Sequence, residues 1–168
     1  MGIVALDLSL TASGFYSEAG GEVWKTNKRG HERLEWILDC VGLALTKQKD
    51  KPTVFVEGFA FGCKRSSSAD EIYALGWMVR HKLWLAGVAY CNVPPSTLKK
   101  YATGKGTADK ATMMDAAIRR FGYEGPPDDN AVDAFLLWHL GHEHTGSPMV
   151  VVPAMQAAQA EKVEWIVP

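Results

Sequence analysis

The chain has 168 residues, 47% of them hydrophobic, enough for one domain with a substantial core and too short for two ordinary ones. No stretch approaches the roughly 20 apolar residues of a membrane span, and the opening MGIVALDLSL has neither a basic region nor a small-residue cleavage site, so a cytoplasmic protein is expected. The formal charge of -1 gives no global sign of a nucleic-acid binder, and Cys40, Cys63 and Cys91, lacking any CxxC pair, suggest neither a disulfide framework nor a zinc site.

In chain order, Ile3 to Leu8 is a short apolar run broken only by Asp7, and the turn-rich stretch Ser9 to Gly14 leads back into Phe15 and Tyr16. Gly20-Gly21 makes a second turn before Val23 to Lys25, so three antiparallel strands open the fold. Between His31 and Lys47 the apolar residues Leu34, Ile37, Leu38, Val41 and Leu45 share one helical face. Thr53 to Glu57 (TVFVE) is a buried strand ending in a carboxylate. A helix from about Ala69 to Leu85 and a strand near Val88 to Val93 follow. Ser96 is expected to cap a short helix, Asp109 a second one with Met113, Met114, Ala117, Ile118 and Phe121 on one face, and Asp128-Asp129 a last one to about Gly141. The remainder reads as a looser extension with one short strand, Met149 to Val152.

Charge is unevenly spread along this order. Lys99 to Arg120 carries a local excess of +4, whereas Glu124 to the end carries -6. A basic segment beside an acidic one suits a protein that grips phosphates near a metal site, although solvated helix faces give the same pattern.

The carboxylates suggest which metal chemistry. Hydrolysis of a phosphodiester by an activated water is served by two magnesium ions about 3.5 to 4 Å apart, and magnesium takes hard oxygen ligands from several elements. Asp7 interrupts an apolar strand, where an ionised group is costly unless a cation or hydrogen bonds compensate it. Glu57 closes TVFVE, and Asp133 lies on the apolar side of the last helix beside Val132, Leu136 and Leu137. Asp128 and Asp129 sit where acids favour a helix start for capping reasons alone.

Four stretches then carry a family resemblance: Val4-Ala5-Leu6-Asp7-Leu8-Ser9 with Gly14-Phe15-Tyr16; Val56-Glu57-Gly58-Phe59; Val93-Pro94-Pro95-Ser96-Thr97-Leu98-Lys99-Lys100 with Thr103-Gly104-Lys105-Gly106 and Lys110; and Asp129-Asn130-Ala131-Val132-Asp133-Ala134. In their order and spacing, over roughly residues 3 to 142, the chain resembles the RuvC-type Holliday junction resolvases, including their shorter phage-encoded relatives. The resemblance implies an α/β, ribonuclease H-like fold: a mixed five-stranded sheet, three antiparallel strands then two parallel, flanked by helices. It places a nuclease domain at residues 1–145 and leaves 146–168 as an extension packed on the domain or on a partner subunit.

The same resemblance implies a crossover junction endodeoxyribonuclease acting on branched DNA, with Mg2+ as cofactor (Mn2+ substituting), no nucleotide cofactor, and a homodimer whose two-fold symmetry matches the junction. It makes Asp7, Glu57 and Asp133 metal ligands and turns Lys99, Lys100, Lys105 and Lys110 toward the DNA backbone. Where such enzymes often carry a second acid three positions before the last, this chain has Asn130. Asp129 is therefore favoured as the fourth catalytic and metal-binding carboxylate over a neutral Asn130 ligand. Phe59 and Phe61 suit stacking on opened bases or core packing, and Lys64 and Arg65 suit a phosphate-binding loop or a plain surface turn. The helix bearing Tyr73, Leu75, Trp77, Met78 and Trp84 is either the dimer face or simply packed on the sheet.

Other readings rank lower. Gly104-Lys105-Gly106-Thr107 lacks the glycine that a phosphate loop needs five positions before its Gly-Lys pair. Actin-like ATPases need two such domains. His139, His142 and His144 suit a helix C-terminus as well as a metal. Forks, flaps or RNA:DNA hybrids as substrates, and an inactive DNA-binding scaffold, remain alternatives to junction cleavage.

Overall fold

A computed structural model describes residues 2–58 and 67–168. Strands β1 (Ile3–Asp7), β2 (Ala12–Ser17) and β3 (Gly20–Lys25) form an antiparallel meander, followed by helix α1 (Gly30–Thr46), strand β4 (Thr53–Glu57), helix α2 (Ser67–Leu85) and strand β5 (Tyr90–Val93). Helices α3 (Pro95–Thr103), α4 (Lys110–Phe121) and α5 (Asp129–His144) come next, then a single turn α6 (Ala154–Ala157), a 3-10 turn (Ala160–Lys162) and strand β6 (Glu164–Ile166). The sheet order is β3-β2-β1-β4-β5-β6, with β4 parallel to both β1 and β5 and the other pairs antiparallel.

Side-chain alternation along the strands divides the core into two layers. Ile3, Ala5, Phe55, Cys91 and Val93 point to one face, where Leu98, Met113, Ala117, Phe135, Leu136 and Leu140 of α3, α4 and α5 cover them. Val4, Leu6, Val54, Val56 and Tyr90 point to the other, under Leu34, Ile37 and Val41 of α1 and Leu75, Val79 and Leu83 of α2. Both central strands are covered on both faces, which is why they read as unbroken apolar runs. No helix among the described residues is long and apolar enough to cross a membrane.

Helix α5 lies unusually close to the sheet, and two glycines permit it. A Cβ on Gly14 would stand 2.0 Å from the Asn130 carbonyl oxygen, and one on Gly141 would stand 2.7 Å from Ile3 Cγ2 and 2.9 Å from Phe55 Cδ2. The N-terminal half of α5 is thus pressed onto β2, and its C-terminal half onto β1 and β4.

Three expectations are corrected. The sheet has a sixth strand, which comes from Glu164–Ile166 and not from Met149–Val152. The latter run lies between Pro148 and Pro153 and leaves Val151 95% exposed, while the open edge of β5 is taken by β6. Ser96 does not cap α3: Pro94 is the N-cap residue, its carbonyl accepts from the Thr97 and Leu98 amides, and Pro95 supplies the helical φ at the first position. The Asp109 cap, accepting from the Thr112 amide, is as expected.

Because the obstacle at Gly14 is main chain, Gly14→Ala forces β2 and α5 apart. A loss of at least about 3 kcal/mol, or roughly 10 °C in Tm, is expected in thermal denaturation.

Candidate metal centre and cleft

The parallel pairing of β1 with β4, in register from Ile3↔Thr53 to Leu6↔Val56, brings Asp7 and Glu57 together where both strands end. Asp7 also faces Gly14 across the β1–β2 ladder, the residue against which α5 is seated. That seat brings Asp133, one turn into α5, over the strand ends. One carboxylate oxygen from each of Asp7, Glu57 and Asp133 lies within 4.8 Å of the others.

The three acids are crowded together, Asp7 buried and Glu57 and Asp133 half-buried. Asp7 is only 8% exposed. Burial raises its pKa, opposed by a hydrogen bond with Glu57 and by Lys110. Glu57 is pushed well above the ordinary carboxylate range, first by burial and then by the adjacent Asp7. Asp133 is raised to about 7 by burial and by the charges of Asp7 and Asp129, with Lys99 and Lys110 opposing. Three acids so placed cannot all ionise cheaply alone, and a hard divalent cation held by carboxylate oxygens meets that demand. The donor set therefore fits a hard divalent cation.

Glu57 and Asp133, though not the buried Asp7, line a cleft of about 670 Å³ that Lys99, Lys110 and Asp129 also line, with Leu8, Leu10, Ile72, Tyr73, Pro95 and Met113 forming an apolar wall. Lys99, half-buried on α3, and Lys110, in the first turn of α4, bring cationic groups to the acids.

Asp129 lies one helical turn before Asp133, outside the three-carboxylate group, and its Oδ2 accepts a hydrogen bond from Lys110 Nζ. The Asn130 amide is turned to Asp128 Oδ1, at 3.2 Å, within the cap of α5, and Asp128 Oδ2 is paired with Lys25 of β3 at 3.0 Å. Lys100 and Lys105 are exposed and do not line the cleft. Phe59, Phe61, Lys64 and Arg65 lie outside the described residues. The three histidines form no metal-binding group among the described residues: His139 is buried edge-on between Phe135 and Trp138, its pKa pushed down to about 4 by burial, and His144 Nδ1 lies 2.7 Å from the Ala160 carbonyl.

Sequence reasoning missed Arg80. This guanidinium is 3% exposed, lines the cleft, and reaches the main-chain carbonyl of Glu57. Its one signal is a lone arginine beside Val79 on the inward, Leu75-Val79-Leu83 side of α2.

No protein-family model and no curated protein sequence matches the chain. Among solved structures it is similar to RuvC of Thermus thermophilus in complex with a Holliday junction substrate, with a TM-score of 0.70 and 22% identity over 90% of this chain and 99% of that one. A second Thermus thermophilus RuvC structure gives 0.65 at 22% identity, over 90% and 100% of the two chains. The fold is thus the ribonuclease H-like fold of RuvC.

The raised carboxylates have a consequence for stability without metal. Their folded pKa values exceed the unfolded ones, so the folded state binds more protons, and their contribution is fully present below about pH 4 and lost as pH rises toward about 7. For Asp133 the shift corresponds to an upper bound of about 4 kcal/mol. Because Asp133 is only half-buried, solvent screening reduces this to about 2 kcal/mol. Asp133→Asn in the metal-free protein is expected to raise Tm by roughly 5 °C at pH 8 and to change it little at pH 4, as calorimetry at the two pH values would register.

Proposed function

We propose that this protein is a divalent-metal-dependent endonuclease that nicks branched DNA, resolving four-way junctions by paired symmetric incisions. The observation that carries this reading is the convergence of Asp7, Glu57 and Asp133 within 4.8 Å at a cleft that Glu57, Asp133, Lys99 and Lys110 line. The fold shared with RuvC, one of whose structures holds a Holliday junction, supports the choice of substrate.

In this reading Asp7, Glu57 and Asp133 hold Mg2+, with Mn2+ substituting. When bound, the cations activate a water and neutralise charge on the attacking and leaving oxygens. Glu57 and Asp133 release their protons as the site loads, so cation affinity rises with pH through about 7, the value to which Asp133 is raised. Lys110 exchanges Asp129 for a DNA phosphate, which frees that carboxylate as the fourth ligand. Lys99 stays between the acids and the strand to be cut. Lys100 and Lys105, exposed on the same side of the chain as the α3–α4 connection, extend the phosphate track, and Lys64, Arg65, Phe59 and Phe61 add backbone contacts and stacking.

Paired incisions require two centres related by a two-fold axis, hence a homodimer. The outward face of α2 offers the surface, with Trp77 64%, Met78 41%, Trp84 52% and Leu85 66% exposed. Such residues gather at association sites more often than on inert surfaces. In this reading the protein acts in the cytoplasm, that of the host if a phage encodes it.

The test is cleavage of an end-labelled four-way junction, a fork, an RNA:DNA hybrid and a linear duplex, with Mg2+ or with chelator. Symmetric, Mg2+-dependent nicks confined to the junction are expected. Cutting of the fork or hybrid first overturns the substrate, and binding without cutting overturns the enzyme. Asp7→Asn is expected to slow cleavage roughly a thousandfold, the several kcal/mol a metal contributes to the transition state, and to leave junction binding largely intact. Lys110→Ala is expected to lower the salt slope of junction binding by about one unit, read from affinities between 50 and 200 mM salt.

A further inference from the structure

Helix α2 packs on its face of the sheet through Leu75, Val79 and Leu83, all fully buried, and that packing requires no guanidinium. Arg80 is nevertheless 3% exposed among them. A buried cation is costly, and an apolar residue of similar volume commonly serves stability as well or better. What Arg80 does instead is join four elements. Its Nη1 donates to the Gly76 carbonyl within α2 at 2.9 Å, its Nη2 to the Glu57 carbonyl at the end of β4 at 3.3 Å, and its Nε to Asn92 Oδ1 on β5 at 2.6 Å. Asn92 Nδ2 in turn donates to Glu164 Oε2 on β6 at 2.8 Å, across the β5–β6 ladder where the two residues are Cα partners.

The bond to Glu57 is made to its main chain, not to its carboxylate. Gly58 is also held from the β5 side, its amide donating to the Val93 carbonyl at 2.7 Å. The peptide that aims the Glu57 side chain is therefore gripped by α2 and β5 together. Burial disfavours the charged guanidinium, and Glu164 is among the groups that oppose this.

We propose that Arg80 is the positioning residue for Glu57, and that the C-terminal strand is part of this device: Glu164 orients the Asn92 amide, Asn92 orients Arg80, and Arg80 fixes the Glu57 peptide. This rests on reading Asp7, Glu57 and Asp133 as the metal-binding set. The tail then works as a brace for the site from the far edge of the sheet, without touching substrate or metal. Groups that orient metal ligands in this way affect affinity about ten- to a hundredfold when removed.

The test uses the full chain and two readouts: Mn2+ titration of the metal-free protein, by calorimetry or by loss of the free-ion electron paramagnetic resonance signal, and single-turnover cleavage of the preferred branched substrate. Glu164→Ala lies on an exposed strand and leaves the core untouched. It is expected to weaken Mn2+ binding by about tenfold and to slow cleavage similarly at subsaturating metal, with DNA affinity in chelator unchanged. Adding Asn92→Asp to this variant supplies a carboxylate directly to Arg80, and Mn2+ affinity is expected to return to within about twofold of the parent. Unchanged Mn2+ affinity in Glu164→Ala overturns the proposal. So does a loss that Asn92→Asp fails to restore while Tm stays within a few degrees of the parent. If the parent chain takes up no Mn2+, or Asp7→Asn binds it equally well, the metal-site reading itself fails, and the brace fails with it.

Discussion

The seating of α5 on the sheet is the contact on which the site depends. An α-helix carrying ordinary side chains stands about 10 Å from a sheet, and a carboxylate on its buried side would then hang above the strand ends out of reach of theirs. Gly14 removes that separation at one point, with the Asn130 carbonyl directly over its Cα, and Gly141 removes it at the other end of the helix over Ile3 and Phe55. Between these two anchors Asp133 comes down onto Asp7 and Glu57. The helix start is held from outside as well, since Asp128 accepts from the Asn130 and Ala131 amides and is paired with Lys25 of β3. Fixing the main chain on both sides of Asp133 leaves that carboxylate little freedom to avoid its neighbours.

This geometry sets up an electrostatic deficit that the charges of the described residues do not fill. Lys99 and Lys110 pull the acid pKa values down, and burial with mutual repulsion pushes them up by more. Lys110 is itself committed to Asp129. A cluster built only for stability would be apolar or would enclose a matched cation. Here the deficit remains open to the cleft, where a hard cation can enter and where a phosphate can bridge cation and lysine.

How much of this is legible in the sequence follows from how local each feature is. Asp7 and Asp133 stand out because each places an acid on an apolar face, a conflict visible within five or six residues, and TVFVE announces both its strand and its terminal carboxylate. The caps of α4 and α5 are equally local. The origin of β6 is not, because a strand exists only where an edge needs one: Met149–Val152 has the better strand composition, while Glu164–Ile166 has the partner. Arg80 is illegible for the same reason, since it reaches beyond its own helix to β4 and β5 and, through Asn92, to Glu164 of β6. Asp129 stays ambiguous at the level of sequence because a capping acid and a ligand look alike, and its carboxylate is held by Lys110, whose position depends on how α3 and α4 pack.

The edge strand β6 has a consequence of another kind. It is only three residues long, with both Glu164 and Trp165 exposed, and it is attached through a single 3-10 turn. It nevertheless shields β5, whose side chains are almost wholly interior and whose unpaired amides and carbonyls would otherwise present a ready template to any extended chain. Backbone pairing does not distinguish one copy's tail from another's. Crowded chains can therefore trade these segments, each closing its neighbour's sheet, and colloidal behaviour at high concentration is governed by how firmly this short ribbon stays with its own body.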